Sequence, residues 1–203
     1  MWTEIVSWIA VVVILLASCG LIISRDWRWS MGLLAIQYIA AAWLVARHWP
    51  LGMASVKLVT GWMATAALGM TRLSTPAEQS DAATVLPRGR WFQIFLAGIV
   101  ALLTAASAPA VEAAIPGLGL QVVAGGLLLA GMGLVHLGIT SEILRVILGL
   151  LTLLSGFEVL YAGLESSILV AGLLALVNLG LALAGSYLMM ANASAETPAE
   201  EVV

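Results

Sequence analysis

Two side chains raise the question of chemistry first. Lys57 and Glu158 stand within apolar stretches, Ala54-Ser55-Val56-Lys57-Leu58-Val59 and Ser155-Gly156-Phe157-Glu158-Val159. An ionised group placed among hydrocarbon is costly enough to require either a partner or a task. A lysine and a carboxylate on two different helices can form an ion pair, and such a carboxylate can exchange a proton or balance a passing cation. The competing reading is that Lys57 snorkels to the membrane surface and Glu158 simply lies at the interface. Three weaker polar groups, Gln37, His136 and Asn178, extend the candidate path. Buried amides, Gln121 among them, more often join neighbouring helices by hydrogen bonds worth roughly 1 kcal/mol. An imidazole such as His136 is favourable beside a helix C-terminus and can titrate there.

Other chemistries find no residues to carry them. The sequence has no glycine-lysine phosphate loop, no nucleophile elbow and no paired metal-ligand spacing. Cys19 is the single cysteine, so neither an internal disulfide nor a cysteine-based metal centre is available. His48 and His136 are expected on opposite membrane sides, which disfavours a haem or metal site within the chain. Ser107 and Ser155 have no base in sequence reach. No cofactor, no metal and no nucleic-acid partner is expected, the last because no basic cluster would track a phosphate backbone. An enzyme acting alone is disfavoured, whereas a non-redox subunit of an oxidoreductase complex is compatible with this inventory.

The elements that must position these residues are written in the hydropathy. Of 203 residues, 62% are hydrophobic and 9% charged, with a mean hydropathy of +1.09, against about 25% charged residues in soluble domains. Crossing the hydrocarbon core takes about 20 apolar residues. The pattern therefore predicts an all-α polytopic membrane protein, a bundle of about seven transmembrane helices. The expected helices cover residues 4–24, 28–46, 51–72, 91–108, 118–138, about 141–161 and 166–190. The fourth is expected to stop at Ala108-Pro109, because proline lacks a donor and displaces the residue before it. Thr140 or Ser141 is expected to cap the sixth. The first is read as a retained helix rather than a signal peptide, since Glu4 and no Lys or Arg precedes its apolar run. Glycines at Gly125, Gly126, Gly131, Gly133, Gly149, Gly172, Gly180 and Gly185 point to close helix packing.

Charge placement gives a direction. With loops alternating sides, Arg25, Arg28, Arg72, Arg88, Arg90 and Arg145 share one face and Arg47 stands on the other, so the first face is expected to be cytoplasmic. The N-terminus is then outside and the C-terminus inside. Trp2, Trp8, Trp27, Trp29, Trp49 and Trp91 are expected at the interfaces, with Trp43 and Trp62 deeper, as packing residues. The expected organisation is a four-helix membrane segment over 1–110, a three-helix segment over 111–190, and a disordered acidic cytoplasmic tail over 191–203.

From about Gly126 to Met190 the chain resembles the small three-helix K-type subunit of respiratory complex I and its relatives in membrane hydrogenases and cation antiporters. The residues that carry this are Ser141-Glu142-Ile143-Leu144-Arg145-Val146-Ile147-Leu148-Gly149 and Asn178-Leu179-Gly180-Leu181-Ala182-Leu183. The front half, Ser24 to Leu34 with Ala35-Ile36-Gln37 and then Ala54 to Val59, looks like component E of the hydrogenase-four complexes, which carries a similar glutamine and intramembrane lysine. The resemblance implies a membrane-arm subunit in a bacterial or archaeal plasma membrane, packed in a hetero-oligomer beside larger antiporter-like subunits and contributing a proton path or a helix scaffold. The sequence departs from it at the family's carboxylate positions, where Leu151 or Leu154 and Leu176 stand. Glu158, one turn beyond Leu154, is a displaced carboxylate on this register; equally, conduction has been lost and the fold serves structure or assembly. A small stand-alone transporter is the third reading.

Overall fold

A computed structural model describes residues 2–75 and 89–196. Among them are seven helices: α1 Trp2–Ile23, α2 Trp27–Val45, α3 Leu51–Ser74, α4 Arg90–Ala114, α5 Leu120–Ile139, α6 Ile143–Ala162 and α7 Ile168–Glu196. Six are long and apolar enough to cross a membrane; α2 is the exception. It has 19 residues and carries Arg28, Gln37 and Tyr38, and it packs against α1, α3, α5 and α6. Gln37 and Tyr38 are buried against those neighbours while Arg28 is exposed at the start of the helix, which lets a less apolar segment belong to the bundle.

Helices α1, α2, α5 and α6 make the centre. Helix α4 flanks them against α1 and α5, while α3 and α7 pack together on the other side against α2 and α6. The residues of the first four helices and the last three therefore interleave. Helices α5 and α6 approach to backbone contact: a Cβ on Gly133 would lie 2.6 Å from the amide nitrogen of Leu153, and one on Gly156 would lie 2.5 Å from that of Ala130. Small residues let helices that gain nothing from water exclusion gain dispersion instead. Gly172 and Gly180, expected in the same role, face open space on α7, and only Gly185 of that helix is packed tightly, against Ile147.

Three expected boundaries move. Helix α4 passes through Pro109 and continues to Ala114. Proline removes one backbone bond, but in hydrocarbon the remaining groups have no water to turn to, so continuing the helix costs less than ending it. Helix α5 runs to Ile139 with Thr140 as its C-terminal boundary residue, and Glu142, not Thr140 or Ser141, precedes α6. The Glu142 carboxylate takes Arg145 Nε at 3.1 Å rather than capping the helix. Helix α7 carries on through Ala191-Asn192-Ala193-Ser194-Ala195 to Glu196, a stretch expected to be disordered. Its alanines are strong helix formers, and Ser194 Oγ donates to the Met190 carbonyl at 3.0 Å. Residues 197–203 of that expected tail, and Arg88, lie outside the described residues.

The tryptophans also differ from expectation. Trp43 and Trp62 are exposed on the outer surface, each tying its indole to a neighbour: Trp43 Nε1 donates to Ser7 Oγ at 3.2 Å and Trp62 Nε1 to the Ala35 carbonyl at 3.3 Å. Trp49 is buried instead, and its Nε1 donates to the Glu165 carbonyl at 2.9 Å. That bond joins the α2–α3 turn to the α6–α7 turn, so both connections sit at one end of the bundle.

Candidate functional site

The site is built where α2, α3, α6 and α7 meet. Lys57 is six residues into α3 and Glu158 four residues from the end of α6, which places both within about 6–10 Å of the end carrying Trp49. Neither reaches water: Lys57 is 5% exposed and Glu158 4%. Lys57 Nζ forms an ion pair with Glu158 Oε2 and donates to Ser155 Oγ at 3.0 Å. Ser155 stands one turn before Glu158, on the same side of α6, because residues three apart are neighbours on a helix. The ammonium also lies 5.0 Å from the centre of the Tyr38 ring, a cation–π contact from α2.

Tyr38 links this group to α7. Its hydroxyl donates to Asn178 Oδ1 at 2.9 Å, and both residues are 1% exposed. The ring fits because α3 presents no side chain opposite it: a Cβ on Gly61 would lie 2.3 Å from Tyr38 Cδ1. Four helices thus contribute one connected set, Asn178, Tyr38, Lys57, Ser155 and Glu158. Charges taken out of water need this kind of satisfaction, since desolvation otherwise outweighs their attraction.

One polar atom of the set is left over. Glu158 Oε1 has no hydrogen-bond partner among the described residues. A small cavity of about 10 Å³, lined by Glu158, Lys57, Thr60, Met53, Trp49 and Ala171 among others, lies beside it. Its size matches a single water. Its lining includes Trp49 of the α2–α3 turn.

In the opposite direction the interior closes. Leu151, one turn before Ser155, is fully buried and joins Leu34, Leu68, Leu148 and Ala182 in an apolar cluster built from α2, α3, α6 and α7. Leu176 points outward and is 67% exposed, and Leu154 is half-buried. Of the positions that the family resemblance would give to carboxylates, Leu151 alone lies on the buried line through Ser155 and Glu158.

The five residues singled out by sequence separate accordingly. Lys57, Glu158 and Asn178 belong to one set. Gln37 turns toward α1, where its Nε2 donates to Ser18 Oγ at 3.4 Å, and its Oε1 is unpartnered. His136 lies at the far end of α5, 2% exposed, with Nε2 unpartnered. Tyr38 and Ser155 were not legible as site residues. The available signal was a tyrosine mid-span beside a glutamine, and a serine three residues before a carboxylate.

Among the described residues no group of three or more His, Cys, Asp or Glu side chains comes together to hold a metal. Fold and site together define a multi-pass helical membrane protein with a buried ion pair in its interior. No protein-family model, curated protein or solved structure matches the chain.

Proposed function

We propose that this chain is a membrane-arm subunit of a proton- or ion-translocating assembly of the hydrogenase or complex I type, in which Glu158 exchanges the proton and Lys57 is its counter-charge. It sits in a bacterial or archaeal plasma membrane beside larger antiporter-like subunits, with the N-terminus outside and the C-terminus in the cytoplasm. The observation that carries the reading is the buried Lys57–Glu158 pair, drawn from two helices and set beside a water-sized cavity whose lining includes Trp49 at one end of the bundle. A water there would donate to Glu158 Oε1, giving the carboxylate a route for protons from that side while Lys57 holds its charge. The protein supplies a polar segment, not redox chemistry.

The test is isolation of the chain in mild detergent through a C-terminal tag, followed by mass spectrometry of what accompanies it, then Glu158→Gln and Lys57→Met in the isolated assembly. Co-purifying antiporter-like or hydrogenase subunits and lost ion translocation with assembly intact are the expected results. Normal translocation in both variants overturns the role of the pair. A second reading, a scaffold that keeps the K-like fold without conduction, draws support from Leu151: the apolar cluster around it interrupts the polar set halfway through the bundle. Under that reading both variants assemble poorly, and those that assemble translocate normally.

A further inference from the structure

A second concave feature lies away from the ion pair, on the outer surface between α2 and α3. It is a groove of about 410 Å³ whose walls include Met31 and Ala35 of α2 and Trp62, Ala66, Gly69 and Leu73 of α3, with Trp27 and Arg28 at its mouth. From Leu73 to Trp62 it follows α3 for about 16 Å, about half of a 30 Å hydrocarbon core. Its length is therefore that of one lipid leaflet. Its mouth lies at the arginine-bearing end of the bundle.

The wall offers hydrocarbon and no free polar group. Thr65 Oγ1 is spent on the Gly61 carbonyl at 2.8 Å, and Trp62 Nε1 on the Ala35 carbonyl. A ligand that needs hydrogen bonds inside the groove finds none, whereas an acyl chain needs none. Gly69 keeps the floor open: even an added Cβ there would meet only Met31, at 3.7 Å.

The mouth carries charge. Arg28 is exposed, with its guanidinium 5.5 Å from the centre of the Trp27 ring. Asp26 spends a carboxylate oxygen on the Arg28 backbone N–H at 2.9 Å, while Glu158 is taken up by Lys57 and Glu142 by Arg145. The Arg28 side chain therefore has its forked donors available, and Arg25 is exposed beside it. A guanidinium matches phosphate in a forked geometry and stacks on an aromatic face while doing so.

We propose that this groove binds one anionic phospholipid, with an acyl chain laid along α3 between Trp62 and Leu73 and the headgroup phosphate held by Arg28. The experiment uses the full chain purified in mild detergent, supplied with equal amounts of phosphatidylglycerol and phosphatidylcholine, and read by native mass spectrometry after detergent exchange. One phosphatidylglycerol per chain is expected, preferred about fivefold, the ratio that one interfacial arginine confers. Arg28→Gln brings the two lipids to parity. Ala66→Leu combined with Gly69→Leu fills the groove and removes retention of both, with an unchanged melting temperature showing that the bundle is intact. Equal retention of the two lipids by the unsubstituted chain overturns the proposal. So does full preference in Arg28→Gln, a substitution at an exposed position that leaves packing untouched, or a groove-filled chain that keeps its lipid but loses a neighbouring membrane subunit.

Discussion

The same four helices, α2, α3, α6 and α7, enclose two different interiors. Toward the α2–α3 turn they surround Lys57, Glu158, Ser155, Tyr38 and Asn178; one turn further along α6 they surround Leu151, Leu34, Leu68 and Leu148. Both layers lie within the same helices, so the difference is one of side chains. On α6, Glu158, Ser155 and Leu151 follow one another along one buried line, and the polarity ends between the second and third. A charge is accommodated here where partners and a water-sized space lie within reach, and the adjoining cluster of Leu151, Leu34, Leu68 and Leu148 is apolar. The ion pair thus borders a water-sized space on one side and packed leucines on the other.

The largest expected effect breaks the polar half. Glu158→Ala leaves Lys57 buried without its counter-charge and is expected to cost about 3–5 kcal/mol, read by denaturant titration in detergent. Lys57→Met combined with Glu158→Leu should recover most of that loss, since a well-packed apolar pair often matches a buried ion pair. Equal losses in the single and double variants would mean that the pair is not coupled. In the apolar half, Leu151→Ala should cost about 2–5 kcal/mol and open space next to Ser155, where a hydroxyl is at hand to hold an entering water. Increased passive proton flux in liposomes would identify Leu151 as the seal; unchanged flux would place the barrier elsewhere in the cluster.

Two smaller effects sharpen the contrast. Gly156→Ala forces α6 away from the α5 backbone, toward the ion pair, at a cost of about 1–3 kcal/mol. Gly172→Ala, where nothing lies within 4 Å, should instead be neutral or slightly stabilising, and thermal melts of the two variants side by side will tell. The smallest loss belongs to Asn178→Leu, which removes the partner of the Tyr38 hydroxyl and should cost about 0.6 kcal/mol, the typical worth of a hydrogen bond between membrane helices. A loss several times larger would show that Tyr38 depends on Asn178 to hold its ring against Lys57.

Hydropathy reads the helical bundle well because a run of about 20 apolar residues has few other uses. What it misreads are rules learned in water. Pro109 ends helices where solvent can take over the freed carbonyls, and within an apolar span it does not. The stretch from Ala191 to Glu196 looks like a polar tail by composition, yet its alanines extend α7. Within the site, Lys57 and Glu158 are conspicuous because charge is rare in such runs. Tyr38 and Ser155 are not, since a tyrosine or a serine in an apolar helix has many unremarkable explanations. Their role depends on which helices are neighbours, and that information resides in packing: in Gly61, which clears the Tyr38 ring, and in the α3–α7 pairing that brings Asn178 within reach.

The bond from Lys57 to Ser155 joins positions 98 residues apart, and this separation bears on how the chain is made. At roughly 5–20 residues per second, α3 is synthesised about 5–20 s before α6 emerges to offer Ser155 and Glu158. For that interval the ammonium has no counter-charge from α6. Its place about two turns from the start of α3 lets the flexible side chain bend back to the aqueous boundary and wait there. Docking of α6 then draws it inward. Nascent chains stopped before α6 should therefore present Lys57 to amine-reactive reagents, and completed ones should protect it, so that burial of one lysine reports the moment at which the bundle closes.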